Sequence, residues 1–188
     1  MSKLKLTVIY GSVREGRMCD KVAAWVRAEM DADAALEVSV LDPRDFYAPL
    51  VRGAGNDPAV AELRALVAGA DGFVVVTPEY NHSYPAALKL LIDAVNEPWQ
   101  AKPVAFVSYG GVSGGLRAVE HLRQVFAELH AVSVRDTVSF SNVWEQFGGS
   151  GLPAGSSRRS INTLLDRLKW WATALRTARA ATPYGLPA

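Results

Sequence analysis

Phe73-Val74-Val75-Val76 is an unbroken apolar run, bracketed by Gly72 and Thr77. It does not alternate with polar residues, so a strand built from it needs cover on both faces. Strands of that kind belong to parallel sheets with helices on either side. Parallel neighbours in turn require a crossover, usually a helix. The run therefore restricts the chain to alternating strands and helices.

The remaining sequence supplies that alternation. Leu4 to Tyr10 reads as the first strand, and Met18 to Met30 as a helix with Val22, Ala23, Val26 and Met30 at helical spacing. Leu36 to Leu41 reads as the second strand, ended by Asp42-Pro43. Asp45 to Asn56, with Pro49, Gly53 and Gly55, reads as irregular. Asp57 caps a helix that carries Pro58 at its first position and runs to about Ala68. Gly72 to Thr77 is the third strand, Pro85 to Val95 a helix and Val104 to Ser108 the fourth strand. A helix over Leu116 to His130 and a short fifth strand over Val132 to Val138 follow. Ser139 to Ser157 reads as a loop, and Ser157 to Ala178 as a last helix whose Trp170 and Trp171 are expected in the core with Leu164, Leu168 and Leu175.

Five such alternations predict an α/β, flavodoxin-like, doubly wound sheet of five parallel strands in the order 2-1-3-4-5, a three-layer sandwich with right-handed crossovers. At 188 residues, one domain over 1–188 is expected. Ligands of this fold sit at the switch point between strands 1 and 3, beyond the strands' carboxyl ends. Three loops should meet there: Gly11–Arg17, Pro78–Tyr84 and Ser108–Gly115.

Bulk properties exclude several functions. The formal net charge is +1, which gives no field to draw in nucleic acid or an anionic membrane. Cys19 is the one cysteine, so there is no internal disulfide and no thiolate metal cluster. The histidines have no metal-ligand spacing, and no metal is expected. No apolar run approaches the roughly 18 residues that cross a bilayer, and a cytoplasmic protein is expected.

Gly11-Ser12-Val13-Arg14-Glu15-Gly16-Arg17 joins a strand to a helix. Glycine allows close backbone approach, and the helix start offers free N–H groups and a positive dipole end. Ser12 adds a donor, and Arg14 and Arg17 add charge. Neither the triphosphate loop Gly-x-x-x-x-Gly-Lys-Ser/Thr nor the dinucleotide fingerprint Gly-x-Gly-x-x-Gly is present. A terminal monophosphate suits the loop, and FMN carries one. An ordinary strand-to-helix turn with surface arginines is the other reading. Pro78-Glu79-Tyr80-Asn81-His82 offers Tyr80 as a flat contact and Asn81 for the polar edge of a flavin ring; Glu79 either touches ligand or holds the loop. Ser108-Tyr109-Gly110-Gly111-Val112-Ser113-Gly114-Gly115 has glycines where a bulky ligand must come close.

Together these three stretches resemble the NAD(P)H-dependent FMN reductase and quinone reductase family, over about Lys5 to Leu129. The resemblance implies non-covalent FMN, NADPH or NADH as co-substrate, and hydride transfer through FMN to quinones, free flavin or similar two-electron acceptors. It implies a homodimer or homotetramer. By position it assigns Ser12, Arg14 and Arg17 to the FMN phosphate, Pro78, Glu79, Tyr80 and Asn81 to the ring, and Ser108, Gly110 and Gly111 to its pyrimidine edge. Many members have serine at Arg17 and asparagine at Cys19, and a subgroup carries arginine at the former. No catalytic side chain is expected, since positioning on FMN suffices. Partners under this reading are a small-molecule acceptor and a flavin-dependent monooxygenase. A non-enzymatic flavodoxin-like carrier or redox sensor, and a site for another monophosphate, are the alternatives.

Other residues carry open readings. Cys19 follows a cationic loop, where a thiol pKa tends to fall, or is a small packed residue. His82 contacts substrate or is a surface residue. Asp42 reads as a turn residue. Arg117 and Glu120 form an ion pair between subunits or a solvated face. Trp144 and Phe147 roof the ligand or pack on the core.

Overall fold

In a computed structural model, which describes residues 2–52, 57–148, 153 and 155–185, five strands make one sheet. They are β1 (Leu4–Tyr10), β2 (Leu36–Leu41), β3 (Gly72–Pro78), β4 (Pro103–Tyr109) and β5 (Val132–Phe140). The order is β2-β1-β3-β4-β5 and every neighbouring pair is parallel, as expected. Helices α1 (Cys19–Asp31) and α7 (Gly155–Ala181) cover one face. Helices α2 (Pro43–Arg52), α3 (Pro58–Gly69), α4 (Ala86–Asp93) and α5 (Leu116–Glu128) cover the other. No helix among the described residues is long and apolar enough to cross a membrane.

The central strand explains the two layers. Val74 and Val76 point into the core under α1 and α7, while Phe73 and Val75 point into the opposite core. Both sets are fully buried, which is why this segment shows no polar alternation. In the second core, Trp99 of a short 3₁₀ turn (Glu97–Trp99) packs edge-on to Phe73 and Phe126 at centroid distances of 4.8 and 5.6 Å. Its indole N–H donates to the carbonyls of Val95 and Ile92.

The structure corrects several boundaries. Asp45 to Asn56 is expected to be irregular, but Pro43 to Arg52 forms helix α2, with Pro43 at its first position and Phe46 anchoring it to the core. A leading proline is compatible with a helix start, because the first N–H has no intrahelical partner. Gly53, Gly55 and Asn56 of that stretch lie outside the described residues. Strand β5 continues to Phe140, which pairs with Tyr109. Within the expected loop after it, α6 (Val143–Phe147) forms a turn of helix, and Gly149 and Gly151 lie outside the described residues.

Trp170 and Trp171 are not in the core. The buried stripe of α7 runs Ile161, Leu164, Leu165, Leu168 and Ala172. At about 100° per residue, Trp170 falls opposite that stripe and Trp171 on its flank. Their exposures are 63% and 36%, and the two rings pack edge-to-face on each other.

At the amino-terminal end of the sheet, the buried Lys102 ammonium donates to the carbonyls of Val67 and Ala68, at 2.6 and 2.8 Å, and so closes the end of α3. Burial, with the nearby Arg179 charge, lowers its pKa to about 8. In the unfolded chain it titrates near 10.4. Between those values the unfolded chain binds more protons, so this residue makes stability rise with pH across that window. Lys102→Met should lack the rise. Urea titrations at pH 7.5 and 9.5 should show wild type gaining about 1–2 kcal/mol on the variant; an unchanged difference would remove the assignment.

Candidate functional site

The first loop leaves β1 pressed against β3. The Gly11 amide donates to the Val76 carbonyl at 2.8 Å. A Cβ at Gly11 would stand 2.7 Å from that oxygen and 2.8 Å from the Thr77 Cα, so no larger residue fits. Ser12 is fully buried, and its hydroxyl pairs with the Tyr80 hydroxyl at 2.8 Å. The Arg14 amide donates to the same Ser12 oxygen at 3.3 Å. The Arg14 guanidinium lies 3.7 Å above the Tyr80 ring centroid, a cation–π contact. These contacts tie the first loop to the second. Gly16 turns the chain at φ +62°. Among the described residues, the amides of Val13, Glu15 and Gly16 have no acceptor.

Arg17 stands beneath this loop, 7% exposed. Its Nε donates to Asp20 at 2.8 Å and its Nη1 to Asp42 Oδ1 at 2.9 Å. Nη2 reaches Asp42 Oδ2, and Nη1 also reaches the Ser12 carbonyl. Burial alone would weaken the guanidinium as a base, but the carboxylates of Asp42 and Asp20 reverse that and hold it firmly charged. For Asp42, burial favours the neutral acid, yet hydrogen bonds from Arg17 and the Arg44 amide keep it below the usual carboxylate range. Asp42 is thus more than a turn residue. It caps the start of α2 and anchors Arg17.

The second loop starts at Pro78, where β3 ends. The Glu79 carboxylate accepts from the Arg117 guanidinium at 2.7 Å and the Arg117 amide at 3.2 Å, both from the start of α5. Burial pushes the Glu79 carboxyl up, and the contacts from Arg117 and Ser113 outweigh it, so its pKa is lowered. Glu79 therefore holds loops together, the second of its two expected roles. Arg117 is paired within its own chain, and Glu120 lies 3.3 Å from Arg123. Tyr80 and Ser83 exchange backbone hydrogen bonds across a tight turn, with Asn81 at φ 48° and His82 at φ 75°.

The third loop is held from inside. The fully buried Ser108 donates its hydroxyl to the Gly114 carbonyl at 2.8 Å. Gly114 and Gly115 both have positive φ, and a Cβ at either would meet Ser139, Ser108 or Tyr109 at under 3.0 Å. Gly110 and Gly111 give their carbonyls to the amides of Val143 and Asn142, which docks α6 beside the loop.

The three loops enclose a cleft of about 240 Å³. Of the residues singled out from sequence, Arg14, Arg17, Pro78, Glu79, Tyr80, Gly110 and Gly111 line it. Ser12 stands behind the wall, Ser108 is occupied within its own loop, and Asn81 sits at the exposed turn tip rather than in the lining. Met18, Tyr109 and Val143 also line it without having been singled out. Their apolar character is that of ordinary core residues, and only topology shows that they end at the cleft. Trp144 and Phe147 divide between their two readings: Trp144 lines the cleft at 61% exposure, and Phe147 packs on Phe140 in the core. His82 is an exposed turn residue outside the lining.

Cys19 is buried, with its thiol 3.5 Å from the Val76 carbonyl. Burial raises its pKa, against the fall expected beside a cationic loop. It is the packed residue of the two readings.

A parallel sheet with a loop-lined cleft at its switch point defines a doubly wound ligand-binding protein. The family described as NADPH-dependent FMN reductase matches residues 4–145, and the chain belongs to that family. An NAD(P)H-dependent FMN reductase of Schizosaccharomyces pombe is 38% identical over 120 residues, covering 59% of this chain and 60% of that protein. A quinone reductase of Escherichia coli is 36% identical over 139 residues, covering 69% of this chain and 73% of its own length. Among solved structures, an oxidoreductase from Corynebacterium diphtheriae superposes with a TM-score of 0.76 at 20% identity, over 93% of this chain and 99% of that one. That last likeness speaks for the fold.

The burial of Cys19 gives a test. Thiol reagents should label native protein at least about a hundredfold more slowly than denatured protein, because the buried thiol is neutral and out of reach. Rapid native labelling, followed by mass spectrometry, would contradict the geometry.

Proposed function

We propose that this protein is an FMN-dependent NAD(P)H oxidoreductase, delivering electrons to quinones, free flavin or similar two-electron acceptors. The observation that carries the proposal is the first loop. It has three amides without an acceptor among the described residues, and a guanidinium beside a cleft walled by Tyr80 and the glycines of the third loop. Such a constellation suits a phosphomonoester attached to a flat ring. A Cβ at Gly111 would meet nothing within 4 Å, so the cleft is open to a bulky group on that side. Family membership supports the same cofactor.

In this reading, the amides of Val13, Glu15 and Gly16 and the Arg14 guanidinium hold the phosphate, and the Ser12 hydroxyl braces the Arg14 amide and Tyr80 behind them. Arg17 lies close enough to add its charge. Pro78 and Tyr80 flank the ring, with Glu79 fixing their loop and Asn81 at its outer rim, and the Gly111 amide, without an acceptor among the described residues, offers a donor to the ring's polar edge, behind which Ser108 braces the glycines. FMN, when bound, supplies a carrier that takes hydride from a reduced nicotinamide and passes two electrons to an acceptor. The side chains of the chain itself bind and orient, and Trp144 and Tyr80 narrow access for water. We read the protein as a homodimer or homotetramer in the cytoplasm that reduces a small-molecule acceptor and supplies reduced flavin to a monooxygenase.

The first test is spectroscopic. Purified protein with added FMN should show bound flavin bands that bleach within seconds of anaerobic NADPH or NADH. Bands that bind yet persist would favour a carrier. No FMN binding, with thermal stabilisation by another monophosphate, would replace the reading. A second test concerns Arg14. Arg14→Ala should weaken FMN binding by about 1.5–3 kcal/mol, the range for a hydrogen bond to a charged group. An unchanged dissociation constant at low salt would remove Arg14 from the phosphate site.

A further inference from the structure

Two arginines grip the backbone of the first loop from behind. Arg17 donates to the Ser12 carbonyl. Arg44, at the start of α2, donates through Nε to the Val13 carbonyl at 3.3 Å and through Nη2 to the Arg14 carbonyl. Three successive carbonyls are thus held by guanidinium groups. In a trans peptide, the C=O of one residue and the N–H of the next point in opposite directions. Holding the carbonyls of Ser12, Val13 and Arg14 on one side therefore turns the amides of Val13, Arg14 and Glu15 to the other. The Arg14 amide meets the Ser12 hydroxyl, and those of Val13 and Glu15 are without a partner among the described residues.

The arginines are themselves held by acids. Asp42 takes Arg17 with both carboxylate oxygens and accepts the Arg44 amide at 3.0 Å. Asp20 accepts from Arg17 Nε and lies 3.9 Å from Arg44 Nη1. The guanidinium of Arg17 has its donors turned toward Asp42, Asp20 and the Ser12 carbonyl, rather than toward the cleft.

We infer that Asp42, Arg17 and Arg44 form a clamp that pre-orients the loop amides for the phosphate, so that Arg17 acts on that group as a positioning residue and not as a direct ligand. The inference rests on the FMN reading above. It reverses what charge alone demands. An anionic side chain beside an anion site ought to weaken binding, and its removal ought to strengthen it. In the clamp, removing the Asp42 charge frees the Arg17 guanidinium and weakens the cap that sets Arg44 at the start of α2, lets the loop carbonyls turn, and loosens phosphate binding.

The test compares FMN with riboflavin, which has the same ring and no phosphate, by fluorescence titration. Asp42→Asn should bind FMN about tenfold more weakly than wild type, the effect of losing one charged hydrogen bond's support, with riboflavin affinity within about twofold. Arg44→Ala, which removes a residue outside the cleft lining, should show the same phosphate-selective loss. That loss should persist in roughly 0.5 M salt, where a distant charge is screened. Arg17→Lys should show the same phosphate-selective loss, since an ammonium cannot span Asp42, Asp20 and the carbonyl together. Equal or tighter FMN binding by Asp42→Asn would overturn the clamp and return Arg17 to the phosphate. If Asp42→Asn fails to fold, Arg44→Ala decides alone, and an unchanged FMN-to-riboflavin ratio there overturns the clamp. If wild-type protein binds no FMN, the functional reading itself falls and takes this inference with it.

Discussion

Just past the end of β1, Gly11 is pinned to β3: its amide meets the Val76 carbonyl and no side chain has room. Everything beyond that point depends on it. Because the chain is pinned to the end of β3, the next residues must turn away across the sheet's edge before α1 can begin. That turn is the first loop of the cleft. The buried Ser12 then reaches the Tyr80 hydroxyl, so the position of the second loop follows from the same contact. A residue larger than glycine at 11 would push the two strands apart and displace both loops.

The rigidity of the cleft comes from polar contacts that replace side-chain packing. Glu79 links the second loop to the start of α5 through Arg117. Ser108 and Ser139 both donate to the Gly114 carbonyl, joining the ends of β4 and β5 under the third loop. Glu79 and Ser108 are half-buried and buried groups with defined partners, which gives the site its shape at little cost in apolar burial. The apolar cores on either side of the sheet supply the stability, and the loop contacts supply the geometry.

Much of this was legible in the sequence. The strands β1, β3 and β4 are apolar runs that a helix cannot explain, and their order follows from the alternation of elements. The three loops stand out because glycines, a tyrosine and arginines are unusual neighbours at strand ends. Other features were hidden for physical reasons. Helix α2 was masked by Pro43, which leads it, and by Pro49, which lies within it at a position where proline usually breaks a helix. Trp170 and Trp171 look like core residues, yet the helical phase set by Leu164, Leu165 and Leu168 turns them outward. Arg44 carried no signal at all. Its partners are carbonyls some thirty positions earlier, and backbone acceptors leave no mark in a side-chain pattern.

The third loop divides into two parts with different freedom. Gly110 is hydrogen-bonded to Phe140, and Gly114 and Gly115 are closed in by neighbours at under 3.0 Å. Between them, a side chain at Gly111 would meet nothing, and Val112 is 90% exposed. Heritable variation in this loop therefore has one narrow outlet. Its crest can change in size and chemistry while its footings stay fixed, and a lineage descended from this chain could retune what its cleft admits through Gly111 and Val112 without disturbing the strands beneath.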